Sequence, residues 1–259
     1  AEEEPAPGAS DAADRRAAGA GGDFAAEAHR LGEMAAKLHL SLADAFGSEQ
    51  ARPEAWASAL RSRLQELGSP SVTGELARRL GEIGTRAAPL LDALAQLHDA
   101  GRAVRVHGDF HLGQVMRSDV GWFVLDFEGE PARPLEERRA RTSALKDVAG
   151  MLRSLHYAAA VAREERRAVG EQEAALADAW QRRNRLAFMD GYLHAHPDVD
   201  ALLPPAGEPR DVVLAAFELE KAAYELRYEL DHRPSWAEIP ASALERLLSD
   251  EELRRLRIG

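Results

Sequence analysis

The apolar residues of the chain recur mainly at the spacing of a helix face. Between residues 24 and 42 an apolar side chain returns every three or four positions, at Phe24, Ala28, Leu31, Ala35, Leu38 and Leu42. This spacing is typical of a helix with one buried face. Similar patterns predict helices at residues 54–67, 73–98 (with an interruption at Gly84), 143–166, 171–193 and 209–231 and in a short C-terminal pair. The fold is therefore predicted to be mostly α.

Strand patterns are concentrated in one stretch. They are nearly absent before residue 102, whereas residues 103–107, 114–118 and 121–127 are short β-branched or aromatic runs separated by Gly and Asp. Such runs predict a small β-hairpin insertion in a helical body. Residues 1–22 are almost all small, charged, Gly or Pro, which predicts a disordered linker or tail. Residues 23–259 are expected to form one domain.

The composition narrows the classes of function. The formal net charge is -11 and there is no cysteine. An acidic chain is a poor match for nucleic acid or an anionic membrane surface, which are usually bound by clustered Lys and Arg. No apolar run reaches membrane-spanning length, and the N-terminal residues lack the pattern of a secretory signal. We expect a cytoplasmic protein without nucleic-acid or membrane partners, in which any metal has oxygen or imidazole ligands.

The predicted hairpin carries the candidate chemistry, within HGDFHLGQVMRSDVGWFVLDFEG (107–129). Asp109 is placed at the apex of a loop and Gln114 at its exit, and a turn at residues 118–121 would fold Asp126 back alongside them. Two carboxylates and an amide oxygen would suit Mg²⁺, with one carboxylate left to orient a hydroxyl group. A metallohydrolase site at His107, Asp109 and His111 is the alternative, but it lacks further ligands at suitable spacing.

Two motifs in this order resemble a known family. HGDFHLGQV followed by LDFEG, and later EKAAYELRYELDHRPSW (220–236), are similar to bacterial maltokinases, including those fused to trehalose synthase, of the aminoglycoside-phosphotransferase-like, kinase-like fold. The resemblance covers residues 24–250. It implies ATP-dependent phosphorylation of maltose to maltose 1-phosphate, with Asp109 as catalytic base and Gln114 and Asp126 as Mg²⁺ ligands.

Supporting roles follow from the same resemblance. His107 is expected to brace the loop through backbone hydrogen bonds, and the role of His111 stays open between structure and substrate binding. Asp147 is expected to accept backbone N–H groups of the catalytic loop, with help from Arg153. The plain alternatives are that Asp109 caps a turn and that Asp147 is an exposed charge paired with Lys146 or Arg153.

A sugar site is predicted beside this loop. Phe217, Glu220, Tyr224 and Tyr228 share one helix face. A carboxylate among aromatic rings needs a partner, and a sugar offers both hydroxyls and flat apolar faces. Arg233, Trp236 and Tyr157 are further candidates for sugar contacts. The neighbouring Lys221 and Glu225 are expected to form a solvent-facing pair.

The chain lacks one expected feature of such kinases. Its three lysines, Lys37, Lys146 and Lys221, do not lie on a predicted upstream strand, where a phosphate-binding lysine is expected. The sequence therefore predicts the C-terminal lobe alone, as a fragment, a split gene product or a degenerate kinase, with weak ATP binding and slow turnover. Glucosamine kinase of the same fold and a non-catalytic sugar-binding module are the alternative functions.

Overall fold

The computed structural model describes residues 23–67, 74–130, 133–165 and 171–256, and these residues are mostly helical. The predicted tail at residues 1–22 lies outside them. The helices, in chain order, are α1 (Ala25–Phe46), α2 (Pro53–Glu66), α3 (Gly74–Ala95), α4 (Leu135–Arg139), α5 (Leu145–Glu165), α6 (Glu171–His194), α7 (Glu208–His232), α8 (Glu238–Leu247) and α9 (Asp250–Arg255). Within the described ranges, no helix has the length and apolarity needed to cross a bilayer.

The strands form two small antiparallel sheets. They are β1 (Ser48–Gln50), β2 (Arg102–Val104), β3 (Val115–Ser118), β4 (Gly121–Val124) and β5 (Thr142–Ser143). One sheet has the order β1-β2-β5 and the other pairs β3 with β4. The pairing of Val115 with Val124 and of Ser118 with Gly121 makes β3 and β4 the predicted hairpin. The segment between β2 and this hairpin is the candidate catalytic loop, residues 105–113.

Glycines allow close packing of α5 against this loop and of α1 against α6. α5 lies directly behind the loop: a Cβ atom added at Gly150 would come within 2.5 Å of the carbonyl oxygen of Phe110, so only glycine allows this approach. α1 and α6 pack equally closely, since Cβ atoms at Gly32 and Gly191 would meet backbone oxygens at 2.1 and 2.0 Å. The loop therefore packs directly against α5.

The central part of α7 is buried on most of its surface. Nearly all of its residues from Val212 to Leu226 are buried, including the charged residues Glu218 and Glu220. Buried charges require partners, so this helix brings ion pairs into the interior beside the catalytic loop.

Candidate active site

A buried carboxylate organises the catalytic loop. Asp147, at the start of α5 and 1% exposed, accepts the backbone N–H groups of His107 (2.7 Å) and Gly108 (2.9 Å). His39 of α1 lies 3.1 Å from the same carboxylate through Nε2, and its Nδ1 lies 2.8 Å from the Tyr192 hydroxyl. Burial raises the pKa of Asp147, but the hydrogen bond with His39 and the surrounding donors outweigh it and lower the pKa overall. Asp147 is thus an ionised anchor for the loop.

His107 connects the loop to the hairpin. Its ring Nε2 lies 2.7 Å from the Leu125 carbonyl oxygen, and its Nδ1 accepts the Asp109 N–H at 3.3 Å. These two partners require the tautomer that carries its proton on Nε2. The ring thereby fixes Asp109 relative to Leu125, the residue before Asp126.

Gln114 and Asp126 lie side by side at the end of the hairpin. The Gln114 side-chain nitrogen donates to Asp126 Oδ2 at 3.3 Å, and the Gln114 carbonyl accepts the Leu125 N–H at 2.9 Å. Asp126 has a φ of 55°, a left-handed conformation that few residue types other than Gly, Asn and Asp adopt readily. The backbone thus turns sharply where the predicted metal ligand stands.

The oxygen donors of Gln114 and Asp126 are few but suit Mg²⁺. In the part of the chain that the structure describes, no group of three or more His, Asp or Glu side chains is arranged to hold a metal ion. The predicted metallohydrolase alternative at His107, Asp109 and His111 therefore has no support. Gln114 and Asp126 together offer an amide oxygen and a carboxylate, which fits an ion that keeps several waters and shares phosphate oxygens with its substrate.

Asp109 is paired with a lysine from α7. Lys221 Nζ lies 2.8 Å from Asp109 Oδ1 and 2.7 Å from Glu130 Oε1, and His111 Nε2 lies 3.7 Å from Asp109 Oδ2. Burial raises the pKa of the Asp109 carboxyl, but the interactions with His111 and Lys221 outweigh it and hold the pKa below its usual value. Asp109 is therefore ionised at neutral pH. Among the described residues no hydrogen bond joins it to Gln114 or Asp126.

The expectation that Lys221 and Glu225 form a solvent-facing pair is wrong. Lys221 is only 15% exposed and contacts Asp109, whereas Glu225 accepts hydrogen bonds from Arg153 at 2.5 and 3.2 Å. Arg153 is itself 1% exposed and serves Glu225 rather than Asp147. The prediction from the i,i+4 spacing failed because α7 is buried on several faces. Lys221 and Glu225 each pair with a residue of another segment instead of with each other.

The predicted sugar-binding residues fall into two groups. Glu220 is 6% exposed and accepts hydrogen bonds from Arg63 and from Arg133 (3.2 Å), whereas Tyr224 lies beside Lys221, whose Nζ is 4.8 Å from the centre of its ring. Glu220 therefore already has charged protein partners close to the catalytic loop.

The second group lies at the C-terminal end of α7. The Tyr157 hydroxyl donates to Glu229 Oε1 at 2.7 Å, and its ring is stacked on Trp236 at 6.4 Å. Arg233 bonds to Glu229 at 2.6 Å and lies over the rings of Tyr228 and Trp236 at 5.8 and 5.6 Å. Tyr228 is 44% exposed, which gives this group an open aromatic surface.

Two cavities adjoin the loop. The smaller, about 10 Å³, is lined by Asp109, Glu130 and Lys221, among other residues, and has room only for about one water molecule. The larger, about 360 Å³, lies between α2, the segment after the hairpin and α7. Sequence reasoning missed most of the charged residues around them: Arg63, Glu130, Arg133, Lys146 and Lys221. The dense charges of residues 128–139 were the only local signal, and they do not reveal which residues are buried.

Comparisons with known proteins identify the relatives. The profile of the phosphotransferase enzyme family matches residues 11–129. A glucosamine kinase of Streptacidiphilus jiangxiensis is 33% identical over 231 residues, covering 86% of this chain and 49% of the relative. A glucosamine kinase of Mycolicibacterium smegmatis is 32% identical, covering 85% of this chain and 53% of the relative. The chain thus spans about half the length of these relatives.

Solved structures agree with the sequence matches. A glucosamine kinase in complex with glucosamine, ADP and inorganic phosphate superposes with a TM-score of 0.74 at 31% identity, covering 87% of this chain and 52% of that one. Another crystal form of glucosamine kinase gives a TM-score of 0.76 at 30% identity, with 93% and 56% covered. The expectation of a maltose kinase is contradicted, since these relatives are glucosamine kinases. Residues 11–129 are thus similar to the phosphotransferase enzyme family, and the described residues have the fold of the matched part of these glucosamine kinases.

Proposed function

We propose that these residues form the acceptor-activating part of a kinase that transfers the γ-phosphoryl group of ATP to an amino sugar of the glucosamine type. The relatives support the substrate class, because the curated proteins at 33% and 32% identity are glucosamine kinases. A related structure that holds glucosamine and ADP supports the use of ATP. The observation that carries the kinase assignment is the loop bearing Asp109, held by the Asp147 carboxylate through two backbone N–H groups.

In this proposal Asp109 orients the attacking hydroxyl. Its carboxylate is ionised at neutral pH because His111 and Lys221 lower its pKa despite its burial. A carboxylate with such a low proton affinity is a weak base, so its contribution is to accept the hydroxyl hydrogen bond and align the oxygen with the phosphorus. Its proton affinity matters most late in the reaction, when the hydroxyl proton becomes strongly acidic.

Lys221 has two effects in this arrangement. It keeps Asp109 ionised, and its ammonium group places a positive charge beside the reacting oxygen. Positive charges fixed near a transferring phosphoryl group stabilise the charge that develops in the transition state. Glu130, the second partner of Lys221, keeps this ammonium in place.

Gln114 and Asp126 are the residues that would hold Mg²⁺. When bound, the ion neutralises phosphate charge and orients the γ-phosphoryl group. The side-by-side placement of the two residues at the end of the hairpin supports this role. Asp126, with its left-handed backbone, lies just beyond Val124, the last paired residue of β4.

The acceptor sugar is proposed to bind at the open side of Asp109. His111 and Tyr224 are the candidate contacts nearest to the loop, and Tyr157, Tyr228, Arg233 and Trp236 form a more distant aromatic surface. Because the chain spans only about half the length of its relatives, we expect weak ATP binding and slow turnover by these residues alone.

An acceptor panel tests the proposal. The longest natural polypeptide that contains these residues is incubated with ATP, Mg²⁺ and one sugar at a time: glucosamine, glucose, N-acetylglucosamine or maltose. ADP release is measured together with the mass of the sugar product. We expect phosphorylation of glucosamine with the highest kcat/KM. ADP release that no sugar stimulates would contradict kinase function, and a preference for a neutral sugar would contradict the amino-sugar assignment alone.

A further inference from the structure

The larger cavity lies next to Asp109 but is not lined by it. It is lined by residues of α2, α5 and α7 and of the segment after the hairpin, and Asp109 is not among them. The smaller cavity, with about 10 Å³, is lined by Asp109, and that volume is too small for a sugar ring. The two cavities adjoin each other, so a molecule in the larger one would lie beside Asp109 and contact the residues around it rather than Asp109 itself.

The lining of this cavity is rich in positive charge. The six cationic residues are Arg52, Arg63, Arg133, Arg138, Arg141 and Lys146, and the four anionic ones are Glu49, Glu130, Glu137 and Glu220. The excess of positive charge is notable because the chain as a whole carries a net charge of -11. Clustered cations inside an acidic protein favour an anionic ligand at that place.

Two of the cations have donors without hydrogen-bond partners among the described residues. Lys146 Nζ has its nearest carboxylate oxygen, Glu220 Oε1, at 4.0 Å, which is too far for a hydrogen bond. The Arg138 Nε atom is buried and has no partner either. Burial and the charge of Arg133 lower the pKa of Lys146 to about 8. Such groups cost folding free energy unless a ligand satisfies them.

The cavity also has an aromatic wall. The rings of Trp56 and Phe217 lie 5.4 Å apart, and both line it. An aromatic ring face in a cavity that is also lined by charged donors is suited to a sugar ring that carries an anionic substituent. The volume of about 360 Å³ is within the range of small-molecule sites.

We propose that the larger cavity is a second ligand site that binds a small sugar phosphate, with the phosphate monoester at Lys146 and Arg138 and the ring against Trp56. A phosphate monoester carries nearly two negative charges at pH 7 and three acceptor oxygens, which suit the Lys146 ammonium group and the excess of positive charge in the lining. Gly108 of the catalytic loop also lines the cavity, and Lys146 precedes Asp147. A bound sugar phosphate therefore contacts the support of the catalytic loop without occupying the acceptor position.

Calorimetric titration of the chain in a phosphate-free buffer at pH 7 tests this site. The probes are glucosamine 6-phosphate, inorganic phosphate and glucosamine. We expect glucosamine 6-phosphate to bind, inorganic phosphate to bind more weakly and to compete with it, and Arg138→Gln and Lys146→Gln each to weaken binding about tenfold or more. Lys146→Arg, which keeps the charge, should retain most of the affinity.

Two control variants make the result decisive. Arg139→Gln removes a neighbouring exposed arginine that does not line the cavity, and it should leave the affinity unchanged. Asp109→Asn should also leave it unchanged, since Asp109 does not line the cavity. The proposal is overturned if glucosamine 6-phosphate does not bind, or if Asp109→Asn changes its affinity while Arg138→Gln and Lys146→Gln do not. The second result would mean that the sugar phosphate binds at the acceptor position, which would leave the proposed kinase function intact.

Discussion

The catalytic loop depends on single residues that lie far apart in the sequence. The sequence predicts that Asp147 accepts backbone N–H groups of the loop. In the structure its carboxylate accepts the backbone N–H groups of His107 and Gly108. His39 and Tyr192, which complete the network, were not expected. His39 is 108 positions from Asp147, and no local pattern marks a pairing over that separation.

Removal of this carboxylate should be costly. In Asp147→Ala, two backbone N–H groups and the His39 ring lose their buried charged partner. We expect the free energy of unfolding to fall by about 3–5 kcal/mol, the usual cost of breaking a buried charged interaction. Urea denaturation measures the change, with the exposed Asp198→Ala as control. A loss below about 1 kcal/mol would show that the loop does not depend on Asp147.

Lys146 should make stability depend on alkaline pH. The pKa of Lys146 is lowered from the usual lysine value of 10.5 to about 8 in the folded protein. Burial and the charge of Arg133 lower it by more than the attraction of Glu130 raises it. The other charged groups around it are Arg63, Glu220 and Asp147. Between these values the unfolded chain holds the proton and the folded chain does not, so the free energy of unfolding should increase as the pH rises from about 8 to 10.5.

The comparison of wild type with Lys146→Met isolates this effect from other titrating groups. Urea midpoints are measured at pH 7, 8, 9 and 10 in phosphate-free buffer. The stability of the wild type relative to the variant should increase across this series. A constant difference would show that Lys146 keeps its ordinary pKa in the folded protein.

At the scale of elements, apolar periodicity located most helices to within a few residues. The segments predicted at 54–67, 171–193 and 209–231 correspond to Pro53–Glu66, Glu171–His194 and Glu208–His232. The expected interruption at Gly84 is absent, and α3 continues from Gly74 to Ala95. Packing of buried apolar residues on both sides of Gly84 outweighs its low helix propensity.

Short strands could not be found in the same way. The strand Ser48–Gln50 has no alternation of apolar and polar residues. Its partner strand, Arg102–Val104, is about 50 residues away in the sequence, so the two come together only when the chain folds. The hairpin was recognisable because two β-rich runs lie close together in the sequence. Elements defined by their own periodicity can therefore be predicted, whereas those defined by a distant partner cannot.

Close packing of α5 against the catalytic loop gives a prediction at this scale. In Gly150→Ala the added methyl group would lie 2.5 Å from the Phe110 carbonyl oxygen, so the helix and the loop must separate. We expect a loss of about 1–3 kcal/mol in the free energy of unfolding. The matched control is Gly84→Ala, which has nothing within 4 Å and should stabilise α3 by about 0.5–1 kcal/mol. Equal effects of the two variants in thermal unfolding would contradict this packing.

For the whole molecule, the motifs indicated a phosphotransferase, to which the matched relatives are similar, and maltose as the sugar, which these relatives contradict. The motifs around Asp109 and Asp126 lie within 20 residues of each other, so they can be read locally. The pocket residues come from distant segments; Arg63 and Glu220, for example, are 157 positions apart. A single sequence does not reveal which distant residues meet in this way, so it could not indicate the shape and charge of the cavities beside the loop.

The most direct test of the kinase assignment is phosphoryl transfer by the longest natural polypeptide that contains these residues, compared between wild type and Asp109→Asn. Transfer from γ-³²P-labelled ATP to glucosamine is measured beside glucosamine binding by calorimetry. We expect kcat to fall by about 10²–10⁴-fold while the affinity for glucosamine changes little. An unchanged kcat in Asp109→Asn would contradict the assignment of Asp109 as the residue that orients the attacking hydroxyl.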